Sequence, residues 1–228
     1  PKLTQAVWQY RFDKMTSMMD ELAVDAVIFT SADFFQFATN FHTDVLPWER
    51  PIFAVVPRNG TPFLVMNELS THHMQFSQEQ GKVWITDISY YAEHPRVQNR
   101  LPLITQLPEV LAARLKAAGL ARSRIAVEGG SPVLAQLARF LPDIVLRNAT
   151  PECRALRWQK HDEELAVMAA AASISDWIQD RYRENIRPGR LVQELDFAMV
   201  SLFVQEAAER FPGCLLYTSD AADEGLGV

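Results

Sequence analysis

The sequence predicts an α/β domain, a mixed β-sheet flanked by helices, followed by the helices of a second unit. Three observations predict it. Up to about Asn148, short apolar runs of strand length alternate with stretches of helical apolar spacing. One pair of runs is joined through Arg58-Asn59-Gly60-Thr61, a hairpin signal, so the sheet contains an antiparallel pair. After Asn148 the strand-like runs stop and an Ala-rich helical pattern takes over.

The elements follow in order. Trp8, Phe12, Met15, Met19 and Leu22 place one apolar stripe on a helix. Ala26-Val27-Ile28-Phe29-Thr30 is a short buried-strand run. Ser31-Ala32-Asp33 is a turn or cap before a short helix over Phe34 to Ala38, and Asn40 suits a left-handed turn. A loop from Phe41 to Arg50 precedes the strand Pro51 to Pro57, and Phe63 to Met66 returns from the hairpin. Ser70 to Gln80 reads as helix, Val83-Trp84-Ile85 as strand, and Ser89 to Pro102 as loop. Leu107 to Ala118 is a helix with Val110, Leu111 and Leu115 inward and Gly119 as its C-cap. Arg124 to Glu128 is a strand that runs into Gly129-Gly130. Pro132 to Leu141 is a helix and Ile144-Val145-Leu146 a last strand. Gly129-Gly130-Ser131 has neither a dinucleotide nor a P-loop pattern and reads as a turn.

Residues 1–149 are therefore expected as one domain and 150–161 as a linker. Thr150-Pro151 offers a hydroxyl cap and a proline at a helix start. Asp162, Glu163 and Glu164 open the next helix, where acids suit the dipole. Its apolar positions are Leu165, Met168, Ala169, Ala172, Ile174, Trp177 and Ile178, and Pro188-Gly189 stops it. Leu191, Leu195, Ala198, Met199 and Leu202 form a further helix within 162–213. Cys214 to Glu224 shows no helical or strand period and resembles the translation of a sequencing-library adapter. Residues 214–228 are read as a non-native tail, the alternative being a genuine polar one.

Composition narrows the function classes. The 228 residues are 48% apolar and 22% charged, as in an ordinary globular protein. A formal net charge of −6 argues against non-specific nucleic-acid binding. No apolar run is long enough to span a bilayer. Two cysteines, Cys153 and Cys214, make no disulfide framework, and the expected compartment is a reducing cytoplasm.

One stretch carries a resemblance. Arg154-Ala155-Leu156-Arg157, Lys160, Asp162-Glu163-Glu164-Leu165, the small residues from Ala169 to Ser175 and Ile186-Arg187-Pro188-Gly189 resemble the domain junction of creatinase, prolidase and aminopeptidase P. These are the pita-bread metallohydrolases. Ser31 to Phe41 is similar to a segment of their N-terminal domain, with Asn40 where glycine is usual. The resemblance implies a creatinase N-terminal-like domain over 1–149 and the start of a truncated pita-bread catalytic domain over 162–213. It implies a parent that hydrolyses a peptide bond next to proline, or a related C–N bond in a small amidino or amino acid substrate. The N-terminal domain would serve oligomerisation, as a homodimer, and substrate capping. The alternative is a non-catalytic binding module of the same family.

In that family two metal ions, held by Asp, Asp, His, Glu and Glu, lower the pKa of a bridging water and polarise the carbonyl. Those ligands lie beyond this chain's second helical stretch. The parent is thus expected to take two divalent ions (Mn, Co or Zn) unless it is creatinase-like. No catalytic or metal residue, and no cofactor, is assigned to this chain, which is expected to be inactive by itself. Asp220, Asp223 and Glu224 lie in the tail without a histidine. His72 and His73 are adjacent and would point about 100° apart on a helix, which suits a surface better than an ion. His42 and Asp44 give two loop ligands, too few for a site. The resemblance does assign substrate binding to Trp48 and Arg50. In creatinase-like relatives an aromatic residue and an Arg two positions later, before the same strand, reach the neighbouring subunit's active site. Arg suits a carboxylate because its fork donates two parallel hydrogen bonds. The plainer reading is an exposed loop Arg paired with Glu49 or Asp44.

Overall fold

The computed structural model describes residues 2–43, 50–92 and 106–212. They fall into two compact units, Gln5–Gln159 and a second that joins the N-terminal residues up to Thr4 to those from Lys160 onward. Each unit is considered by itself.

The first unit is a three-layer sandwich around a six-stranded sheet. Its strands are β1 (Ala26–Phe29), β2 (Phe53–Pro57), β3 (Phe63–Asn67), β4 (Ile88–Tyr91), β5 (Arg124–Glu128) and β6 (Val145–Asn148), in the spatial order β4-β3-β2-β1-β5-β6. β2 runs antiparallel to both its neighbours, and the other pairings are parallel. The helices are α1 (Gln5–Leu22), α2 (Ala32–Thr39), α3 (Thr71–Glu79), α4 (Leu107–Ala117), α5 (Pro132–Gln136) and α6 (Thr150–Leu156).

Side-chain alternation sorts the strands between two cores. Val27, Phe29, Ala54, Val56, Leu64 and Met66 pack with residues of α1, α2, α3 and α6. Ala26, Ile28, Phe53, Val55, Phe63 and Val65 face the other way, against α4 and α5. Strands buried on both faces read as continuous apolar runs, which is why β1, β2, β3 and β5 are visible in the sequence.

The mixed sheet and its hairpin agree with the sequence reading. Asn40 takes the left-handed conformation at the end of α2 (φ 59, ψ 15), as expected. Gly119 follows α4 with φ 76. Several expectations are corrected. Val83-Trp84-Ile85 is not a strand. Val83 and Ile85 are buried, but the Trp84 N–H donates to the Thr39 carbonyl at the end of α2, not to a ladder. An edge strand is β4 instead, overlapping the start of the segment expected as loop; that segment from residue 93 lies outside the described residues. The helix from Pro132 ends as α at Gln136 and continues as a 3-10 turn. Thr150 does not cap its own helix: its hydroxyl accepts from the Gly129 N–H and donates to Asn148 Oδ1. The helix α6, inside the stretch expected as linker, buries Cys153 and Leu156 in the first core.

The second unit is a helical pair, α7 (Asp162–Asn185) and α8 (Val192–Arg210). His161 caps α7 in a reciprocal box, its Nδ1 accepting from the Glu163 N–H and its own N–H donating to Glu164. The helix starts at Asp162 as the sequence predicts, but the sequence reading contains no histidine cap. Leu165 and Met168, two of the apolar positions that predict the helix, are exposed, and on α7 only Ile174 is buried.

Candidate functional site

Reversal of β2 shapes one end of the sheet. The carboxyl ends of β1, β3, β4, β5 and β6 all point to it, and so does the amino end of β2, where Arg50 sits. Open α/β sheets bind ligands outside the carboxyl ends of their strands. Arg50, the predicted substrate residue, is therefore placed at that edge. It is half-buried, with its Nε shielded from solvent. Trp48, Glu49 and Asp44 lie outside the described residues.

Both stems of the segment 41–50 are fixed. On the α2 side Phe41 is buried, and its N–H donates to Thr39 Oγ1 (3.0 Å). Asn40 Nδ2 donates to the Lys82 carbonyl (2.8 Å). On the β2 side Ile52 is buried and the Pro51 carbonyl accepts from the Tyr91 hydroxyl (2.9 Å). Asn67, at the end of β3, is fully buried. Its Oδ1 accepts from the Leu69 N–H (2.8 Å), and its Nδ2 has no hydrogen-bond partner among the described residues. Composition gave no signal for this buried amide.

The same edge holds a second polar cluster between β1 and β5. Glu128 is buried, and its Oε2 accepts from the N–H groups of Thr30 (3.2 Å) and Ser31 (3.1 Å) and from Ser31 Oγ (3.1 Å). Thr30 Oγ1 donates to the Glu128 carbonyl (2.7 Å). Gly129 follows with φ 78, and a Cβ there would stand 2.8 Å from Thr30 Oγ1. Cys153 lies below. Burial, then the negative charges of Glu128 and Glu152, push its thiol up to about 12, so it is an inert core residue.

His42, His72 and His73 do not converge. His72 and His73 are exposed on α3, and the His73 ring packs on Phe41 with centroids 4.8 Å apart. His42 Nδ1 lies 3.3 Å from Gln36 Oε1. Among the described residues no three His, Cys, Asp or Glu side chains are placed to hold a metal ion, so these residues do not fit a metal pair. Among them too, no helix is long and apolar enough to cross a membrane.

Comparison with known proteins follows the same lines. Residues 11–159 match the Creatinase/Prolidase N-terminal domain. No protein of curated function matches the sequence. Dipeptidase PepE from Mycobacterium ulcerans superposes with a TM-score of 0.62 at 20% identity, over 90% of this chain and 51% of its own. The prolidase from Thermococcus sibiricus gives 0.63 at 15% identity, over 90% and 50%. An Xaa-Pro dipeptidase from Bacillus anthracis gives 0.62 at 14%, over 87% and 49%. At such identities these matches show the fold alone. This chain spans about half the length of each.

Proposed function

The chain belongs to the creatinase/prolidase N-terminal domain family, and from that premise we propose that it is the N-terminal part of a hydrolase that cleaves a peptide bond next to proline, or a related C–N bond. The observation that carries this reading is the domain match together with a TM-score near 0.6 to three enzymes twice its length. The helical unit supports it. Met168, Ile186, Leu191, Val192, Phe197 and Val200 are exposed, apolar side chains available to pack against a further domain. In this reading 162–213 begin a catalytic domain whose remainder is missing, and 214–228 are not native.

Within this chain the role is substrate recognition. Arg50, with Trp48, holds the substrate's carboxylate. The guanidinium fork donates two parallel hydrogen bonds, and the aromatic ring shields them from water. The domain acts on the partner's active site in a homodimer, in a reducing cytoplasm. Two divalent ions (Mn, Co or Zn), held by residues beyond this chain, would supply the attacking water unless the parent is creatinase-like. The substrate is a small peptide or a small amidino or amino acid; the net charge of −6 argues against nucleic acid.

Hydrolysis of Xaa-Pro dipeptides tests this. The 228-residue chain should show none with added Mn²⁺, Co²⁺ or Zn²⁺, and the same chain continued by its following domain should turn over. Turnover by the short chain, or none by the extended one, contradicts the proposal. The second outcome is what a binding module would give.

A further inference from the structure

The helix α2 is short, eight residues, and it leads into the segment that ends at Arg50. A helix of that length is marginal by itself. Its capping residue Ser31 makes no side-chain cap bond. Charges from two other elements stand at its ends instead. At the amino end the buried Glu128 carboxylate, from β5, accepts from Thr30 and Ser31, the two residues before the helix. At the carboxyl end Arg11, from α1 and also buried, donates from Nη1 to the Phe37 carbonyl (2.6 Å). The Arg11 guanidinium lies over two rings, Phe37 at 4.6 Å and Trp84 at 5.2 Å. A negative group at the amino end and a positive one at the carboxyl end both oppose the helix macrodipole. Both are shielded from water, where such interactions are strongest.

We propose that Glu128 and Arg11 form a charge clamp on α2 and act as positioning residues for the chain that leaves it at Asn40 and Phe41 towards Arg50. The step from α2 to Arg50 rests on the substrate role given to Arg50 above; the clamp itself does not.

Two features set this apart from ordinary burial of polar groups. The two charges come from different elements, Glu128 from β5 and Arg11 from α1. The departure from α2 is also built on the helix: Phe41 N–H donates to Thr39 Oγ1, and Trp84 N–H donates to the Thr39 carbonyl. Loosening the carboxyl end therefore reaches the stem at Asn40–Phe41 directly.

Amide hydrogen exchange on the 228-residue chain decides the matter. Glu128→Ala should speed exchange at Thr30, Ser31 and the α2 amides at least tenfold, while β2 and β3 change little. Acetate should reverse this, because a free carboxylate can occupy the vacated position. Arg11→Met should speed exchange from Gln36 to Phe41, and Arg11→Lys should recover part of the protection. If Glu128→Ala does not fold, Glu128→Gln keeps the oxygen acceptor and loses the charge, and should show a smaller acceleration at the same amides. Unchanged α2 exchange, or acceleration spread evenly over the sheet with no response to acetate, overturns the clamp. In the extended enzyme Arg11→Lys should raise KM more than it lowers kcat. Wild-type kinetics in Arg50→Ala, with the exchange result intact, would instead remove only the substrate role of Arg50.

Discussion

Gly129 is the residue whose replacement tests the carboxyl-end cluster most simply. Its φ of 78 is a left-handed conformation, and a Cβ would meet Thr30 Oγ1 at 2.8 Å. That oxygen cannot turn away freely, because it donates to the Glu128 carbonyl. Gly129→Ala should therefore cost about 1–3 kcal/mol. For a chain of this size that is a drop of roughly 2–4 °C in melting temperature per kcal/mol, read by a thermal melt. An unchanged melt would mean that the turn relaxes without strain. The sequence placed a turn at Gly129-Gly130-Ser131, but not the close approach. Thr30 and Glu128 are 98 residues apart, and only the parallel pairing of β1 with β5 joins them. The same holds for Arg11 and Phe37, 26 residues apart. Asn40 was legible because its signal is local: a residue tolerant of positive φ stands where a helix must end.

At the scale of elements, strands buried on both faces were legible and the sheet's edge was not. β4 contains Ser89 and is only half-buried except at Tyr91, so it lacks an apolar run. Val83-Trp84-Ile85 has the run, and spends it on packing below α2 rather than on a ladder. On the helical unit, apolar spacing predicted helices correctly, yet the spacing could not say that much of that surface would stay exposed. One device there was invisible in the sequence. Thr4 donates from its N–H (2.7 Å) and its hydroxyl (2.8 Å) to the Glu163 carboxylate near the start of α7. The bond from the Thr4 N–H, then that from its hydroxyl, lowers the Glu163 pKa below its usual 4.5. A carboxyl whose folded pKa is lowered holds its partner above the unfolded pKa and lets go as pH falls through the folded one. Amide exchange at Thr4 should thus be slowed at neutral pH and lose that protection in acid, below the ordinary glutamate range. Glu163→Gln should show weak protection at every pH, and pH-independent protection in the unsubstituted chain would contradict this.

For the whole molecule the proposal is a division of labour. A self-sufficient α/β unit, Gln5–Gln159, would present Arg50 at the end of its sheet, and the chemistry would come from a domain that only begins here. The first unit has two cores, one on each side of its sheet, whereas the helical pair buries few side chains. Limited proteolysis should accordingly leave a resistant fragment ending near residue 159, and survival of the C-terminal piece instead would contradict the division. Its central claim is that recognition of the substrate comes from this N-terminal domain. The most direct test is kcat/KM of the extended enzyme on an Xaa-Pro dipeptide with Arg50→Ala and Arg50→Lys. A charge-assisted hydrogen bond contributes about 1.5–3 kcal/mol, so Arg50→Ala should lower kcat/KM by roughly tenfold to a hundredfold, with an unchanged melt. Arg50→Lys should recover little, because a point charge cannot reproduce the fork. A wild-type kcat/KM in Arg50→Ala would contradict the claim.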